Sequence, residues 1–314
     1  MPAKLQPSEQ QPGKLLIVSS SDTKFFGLLK DMILSLERLA RQPASRIPAY
    51  ALGIVDLGLS DEDRAWLAER DAMIVAPRPH MGAGSLDRPL ELAFLVRPFL
   101  PEYFPGYDIY CWIDSDVWLQ NEDAVLGLVD GAAEAGMAIA HENERAYRFQ
   151  RWLFLWTAKH FVLGYGPFRG LWLLTRPHLN AGMFAIRAGA PHWAAWARRY
   201  KAAIDKTGKI TPHDQFALNQ AIYQDRLPTR FLDASANWIC DRGVPMWNDE
   251  AGAFCRPYAP YETISALHLA GPGKRTAYRI QRTGGGSFTT MIRYGAAPVP
   301  APAAEPAGLS VAAH

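Results

Sequence analysis

From Tyr107 to Ile113 the chain reads Tyr-Asp-Ile-Tyr-Cys-Trp-Ile and then breaks into Asp114-Ser115-Asp116. The first stretch has the aromatic and aliphatic composition of a buried strand. An acidic pair at the end of such a strand constrains the fold, because ligands of open α/β sheets lie beyond the carboxyl ends of the strands. Residues two apart share one face of an extended chain, so both carboxylates can aim at one point. Such hard oxygen donors suit Mg²⁺ or Mn²⁺, and an ion kept partly open can grip the phosphates of a nucleotide. Taken alone, Asp-x-Asp is also a solvated turn or a helix N-cap.

The flanking pattern alternates. Leu15 to Ser19 predicts a buried strand, Phe26 to Arg41 an amphipathic helix, Tyr50 to Val55 a strand, Asp61 to Arg70 a helix capped by Ser60, and Ala72 to Ala76 a strand. Arg88 to Leu100 reads as helix before the acidic motif and Asp123 to Ala135 as helix after it. This is the alternation of an α/β fold with a mostly parallel sheet flanked by helices. Residues 1–13, rich in Pro, Gln and Ser, and residues 295–314, dominated by Ala and Pro, bury too little to offset ordering entropy and read as tails. Residues 14–294 remain for the folded part, with an aromatic-rich insertion at about 146–174.

With 33 Lys plus Arg against 31 Asp plus Glu, no strong field recruits nucleic acid. Three cysteines, Cys111, Cys240 and Cys255, leave at least one unpaired and lack metal-type spacing, which suggests a reducing compartment. Met1 to Gly13 has no apolar core of a secretory signal, and no apolar run reaches the length of a transmembrane span. The expectation is a cytoplasmic protein, with peripheral membrane contact left open.

Downstream, Leu267-His268-Leu269-Ala270-Gly271-Pro272-Gly273-Lys274 sets an imidazole before a glycine-rich turn and a lysine. Glycine backbone N–H groups can approach an anion, Lys274 supplies a point charge, and His268 can complete a metal's ligand set. The plain alternatives are a core histidine and an ordinary turn. Asn180-Ala181-Gly182 precedes the strand-like Met183 to Arg187; Asn180 offers a donor and an acceptor to a ligand's hydroxyls, or is a turn residue. Thr211-Pro212-His213-Asp214-Gln215 opens a helix, where Asp214 also suits the N-terminal dipole. Asn237-Trp238 is a candidate border of a ligand pocket. From Tyr147 to Trp172, aromatics alternate with Arg148, Arg151, Lys159, His160 and Arg169. That mixture fits an acceptor site, a membrane interface or a helical core.

In this order the motifs resemble those of GT-A fold glycosyltransferases, in particular glycogenin and the bacterial lipopolysaccharide galactosyltransferases. Leu15 to Asp22 with Phe25 is similar to the family's first strand and nucleotide-binding turn, and Gly53 to Ser60 to its second strand and the turn into a helix. Asp114-Ser115-Asp116 is similar to its metal motif, Asn180 to Phe184 to its sugar-site segment, and Asp214 to Asn219 to its Asp-Gln helix. His268, Gly271 and Lys274 keep the spacing of its closing His-x-x-Gly-x-x-Lys motif. Two positions depart from the pattern: Phe25 or Phe26 stands where many relatives have tyrosine, and Arg275 where proline is common. Arg97 occupies the place of a basic residue near the nucleotide, or is a surface arginine ending a helix.

The resemblance implies a Rossmann-like GT-A domain and a metal site of Asp114, Asp116 and His268 holding Mn²⁺ or Mg²⁺. It implies nucleotide contacts from Ser20, Asp22, Phe25, Arg97, Ser115, Gly271 and Lys274, and a reacting face near Asn180, Asp214 and Gln215. The expected activity is transfer of a hexose from a nucleotide sugar, UDP-linked, to a glycan or other hydroxyl acceptor with retention, as in bacterial glycan biosynthesis. The alternatives are a nucleotidyltransferase and a non-catalytic sugar-nucleotide-binding protein.

Overall fold

A computed structural model describes residues 14–84 and 88–296. The tail readings for 1–13 and, beyond Ala296, for 295–314 lie outside the described residues.

The strands of the main sheet are β1 (Leu15–Ser21), β2 (Tyr50–Asp56), β3 (Met73–Val75), β4 (Ile109–Ile113), β6 (Met137–His141), β7 (Leu179–Arg187) and β8 (Arg230–Leu232), while β5 (Val117–Leu119) lies outside it. The spatial order is β3-β2-β1-β4-β7-β6-β8. All neighbours pair in parallel except along β7, which runs against β4 and β6.

Period two in β1 divides the core. Leu15 and Ile17 face the layer containing α1 (Phe26–Ala40), α2 (Asp61–Ala68) and α5 (Asp123–Ala135). Leu16 and Val18 face the layer of α3 (Pro89–Val96), α4 (Leu100–Tyr103), α8 (His192–Thr207) and α9 (His213–Gln224). Strands buried on both faces read as continuous apolar runs, which is the composition of Leu15 to Val18 and of Ile109 to Ile113. Ser60 starts α2 through a reciprocal capping box with Asp63, and Gly136 ends α5 at φ +90°. Two further helices, α6 (Arg151–Tyr165) and α7 (Pro167–Leu173), form an arm whose inner face packs on α9 through Phe161, Leu173 and Phe216.

Three expectations change in detail. The helix drawn over Arg88 to Leu100 is interrupted: α3 passes into a 3-10 turn at Arg97–Phe99 before α4. Pro98 and Pro101 lack the N–H a continuous helix requires. The acidic-motif strand starts at Ile109, not Tyr107. Asn180-Ala181-Gly182 lies inside the nine-residue β7 and does not precede it.

Candidate active site

The acidic motif follows β4 directly. β5 then pairs antiparallel with β12 (Ala266–His268), which follows β9 (Trp238–Ile239), β10 (Met246–Asn248) and β11 (Ala253–Cys255) in the chain. Register sets His268 opposite Val117, one residue beyond Asp116, and β9 pairs parallel on the other side of β12. The tertiary pairing thus joins a carboxylate pair and an imidazole more than 150 residues apart in sequence.

Ligand atoms of Asp114, Asp116 and His268 all lie within 4.8 Å of one another. His268 Nε2 is 3.5 Å from Asp116 Oδ1 and 4.0 Å from Asp114 Oδ2. Asp114 Oδ1 accepts from Arg97 Nη2 at 2.5 Å and from Trp112 Nε1 at 2.7 Å, so Oδ2 is the oxygen turned toward the histidine. On the far side of the ring, His268 Nδ1 lies 2.9 Å from Asn237 Oδ1, while Asn237 Nδ2 donates to Asn180 Oδ1 at 3.0 Å. Asn237 Oδ1 therefore accepts the Nδ1 proton, and in the neutral ring the Nε2 lone pair faces the carboxylates. Two oxygens and one nitrogen held this way are a donor set that fits a Mn²⁺ or Mg²⁺ ion.

Lys274 Nζ reaches Asp116 Oδ2 at 3.0 Å and sits 5.3 Å over the Phe25 ring. Burial by itself raises the Asp116 carboxyl, but the charges and hydrogen bonds of His268 and Lys274 outweigh it and hold the group well below the usual range. Gly271 carries φ +58°, the left-handed backbone that lets this turn form.

Arg97 is no surface residue. It is 5% exposed, and its Nη1 donates to Asp214 Oδ2 at 2.8 Å, so one guanidinium bridges Asp214 and Asp114. Burial pushes the Asp214 carboxyl up to about 6 despite Arg97 beside it. Gln215, next on α9, accepts from Ala181 N–H at 3.0 Å through Oε1 and reaches His178 Nε2 at 2.8 Å through Nε2. Asp22 Oδ1 accepts from Phe25 N–H at 2.9 Å and so shapes the turn after β1.

The candidate residues all line one cleft of about 1150 Å³: Ser20, Asp22, Phe25, Arg97, Asp114, Ser115, Asp116, Asn180, Asp214, Gln215, His268, Gly271 and Lys274. Two sequence readings shift within it. Gly182 makes room for protein: a Cβ there would stand 2.5 Å from His268 Cε1. Asn237 and Trp238 are buried and are not among the residues lining this cleft, Asn237 being the residue that orients His268.

Sequence reasoning missed Glu142 and Arg242. Glu142 follows β6, receives Asn180 Nδ2 at 2.8 Å and is paired with Arg242. An acid directly after a strand, the signal that exposed Asp114, was available for it too. The aromatic stretch divides: Tyr147 and Phe161 pack inward, with Tyr147 Oη accepting from Ile239 N–H at 2.8 Å, while Phe149, Trp152, Phe154, Trp156, Phe168 and Trp172 are exposed. Cys111, Cys240 and Cys255 are free and buried.

No protein-family model matches the chain, and no curated protein matches it in sequence. Solved structures do. The chain is similar to the galactosyltransferase LgtC in complex with donor and acceptor sugar analogs, with a TM-score of 0.51 at 14% identity over 82% of this chain and 88% of that one. An active-site mutant of LgtC matches with a TM-score of 0.50 at 14% identity, over 83% of this chain and 90% of that one. The bifunctional glycosyltransferase WbbM, in its apo form, matches with a TM-score of 0.50 at 16% identity, over 85% of this chain and 47% of that one. The fold is thus the GT-A fold of these glycosyltransferases, a mixed α/β sheet flanked by helices.

Proposed function

We propose that the chain is a metal-dependent glycosyltransferase that moves a hexose from a UDP-linked sugar to a hydroxyl group of a glycan or other acceptor, with retention. The observation that carries this reading is the convergence of Asp114, Asp116 and His268 within 4.8 Å, with Lys274 at 3.0 Å from Asp116, on one wall of the cleft. Asp114, Asp116 and His268 would hold Mn²⁺ or Mg²⁺, which as a Lewis acid offsets charge on a departing nucleoside diphosphate. Lys274 supplies a second positive charge to the same phosphates, and Phe25 offers a ring for the base. Support for glycosyl transfer also comes from the fold shared with LgtC, whose structure holds donor and acceptor sugar analogs.

Within this reading, residues 14–294 form the catalytic unit. Asn180 and Gln215 stand where sugar hydroxyls and the reacting face would lie, each already fixed by the backbone of β7. Asp214 lines the cleft, but its carboxylate is engaged by Arg97, so we assign it to holding Arg97 against Asp114 and leave the reacting face to Gln215. Retention without a free carboxylate beneath the anomeric carbon requires the leaving phosphate to guide the acceptor on the same face.

A donor screen tests the reading: nucleotide released from UDP-, GDP- and other nucleotide sugars, with Mn²⁺ and with chelator, using water or pooled sugars as acceptor. UDP release that depends on the metal is expected. No release from any nucleotide sugar overturns the reading, and pyrophosphate formed from a nucleoside triphosphate and a sugar phosphate marks a nucleotidyltransferase.

A further inference from the structure

Helices α6 and α7 are apolar on two faces, and the fold covers one. Phe161 and Leu173 are buried against Phe216, while Phe168 at 89% exposure, Trp152 at 66%, and Leu155 and Leu171 above half stay uncovered, as does Phe149, just before α6, at 77%. So many large apolar side chains left uncovered on one helix pair mark an interaction surface. Charge indicates which. No acidic residue occurs between Glu144 and Asp205, whereas Arg145, Arg148, Arg151, Lys159, Arg169 and Arg176 are all exposed. The flanking acids, Glu142 and Glu144, are paired with Arg242 and Arg256.

We propose that this arm seats on an anionic lipid bilayer. Aromatic rings with exposed leucines enter the interface, and the arginines and lysine reach the headgroups, the division found in helices that lie in the membrane surface. A second copy of the chain fits less well, because a two-fold interface would press this unrelieved positive patch against itself. The patch is continuous with the cleft: Phe149, Trp152, Phe154 and Trp156 line it, and Leu90, 64% exposed, lines it from α3. Docking would bring the cleft mouth to the membrane surface. The docking proposal does not rest on the glycosyl-transfer reading.

Sedimentation of the full chain with vesicles tests it, comparing phosphatidylcholine alone with phosphatidylcholine mixed with phosphatidylglycerol. We expect binding to the mixed vesicles that weakens with salt. The double variants Phe168→Glu with Leu171→Glu, and Lys159→Glu with Arg169→Glu, sit outside the cleft lining. Each should lower vesicle affinity at least about tenfold while the melting temperature and nucleotide release into water stay unchanged. Equal or absent binding to both vesicle types, unaltered binding by the variants, or a change only in oligomeric state by light scattering overturns the proposal. Vesicle binding without any nucleotide release from the wild type counts against glycosyl transfer alone; the reverse result counts against docking alone.

Discussion

The Oδ1 atom of Asn237 stands 2.9 Å from Nδ1 of His268, on the side of the ring away from Asp116. It fixes which imidazole nitrogen faces the two carboxylates, and Asn237 is fixed in turn by Asn180. Partners behind a metal-binding histidine set both its tautomer and its orientation. Asn237→Ala should therefore weaken Mn²⁺ binding by roughly 10-fold or more, measured by calorimetry on the folded protein. Unchanged affinity would return Asn237 to a purely structural role.

Chelation should abolish transfer, and Mn²⁺ should restore it better than Ca²⁺, because one imidazole joins two carboxylates in the site. Asp116→Asn should lower kcat roughly 100-fold, the scale typical of losing one electrostatic stabiliser of the transition state. Full activity in chelator would remove the metal from the mechanism.

Lys274→Ala should weaken UDP binding, and Lys274→Arg should recover part of it, since charge returns without the ammonium's geometry. Lys274 also pairs with Asp116, so the melting temperature of both variants has to be followed alongside calorimetry with UDP. Equal UDP affinity in the wild type and the alanine variant would reduce the segment to a surface turn.

The Asp214 carboxyl gives a pH signature. Its pKa in the folded chain is raised to about 6 from an ordinary value of 3.8, first by burial, so the native state binds more protons than the unfolded one between those values. The resulting stabilisation is complete below the lower value and is lost as pH rises through about 6. Asp214→Asn removes this dependence. The melting temperature of the wild type relative to that variant should accordingly be higher at acidic pH than at neutral pH, and a difference that grows toward neutral pH would contradict the assignment.

Gln215→Ala should lower kcat with little change in UDP affinity, as expected for a contact realised mainly in the transition state. The product of the wild type should keep the donor's anomeric configuration. An NMR spectrum showing inversion overturns retention and leaves the transferase reading standing.

Residues 109–113 read as a strand by composition, and the acids after it as a pair that can share one face, because both signals are local. His268, Gly271 and Lys274 stand out by spacing along the chain, and the fold lines them along the same cleft as the acids. Glu142 carries the same local signal, but its meaning depends on Asn180 and Arg242, which reach it from distant parts of the chain. Arg97 shows the limit from the other side. Its sequence context, a helix end before Pro98, fits an exposed arginine, yet the fold buries it between Asp114 and Asp214.

The sequence alone determined the elements of the first half of the sheet: unbroken apolar runs for the buried strands β1 and β4, amphipathic helices, and the Ser60 cap that starts α2, all encoded within a few residues. Only the tertiary structure decided that β7 runs against its neighbours, that Gly182 yields its space to His268, and which aromatics of α6 and α7 are left uncovered. Local propensity cannot specify these, because each depends on which surface another part of the chain presents. A side chain's partners across the sheet are set by register and packing, and those exist only once the whole core has closed.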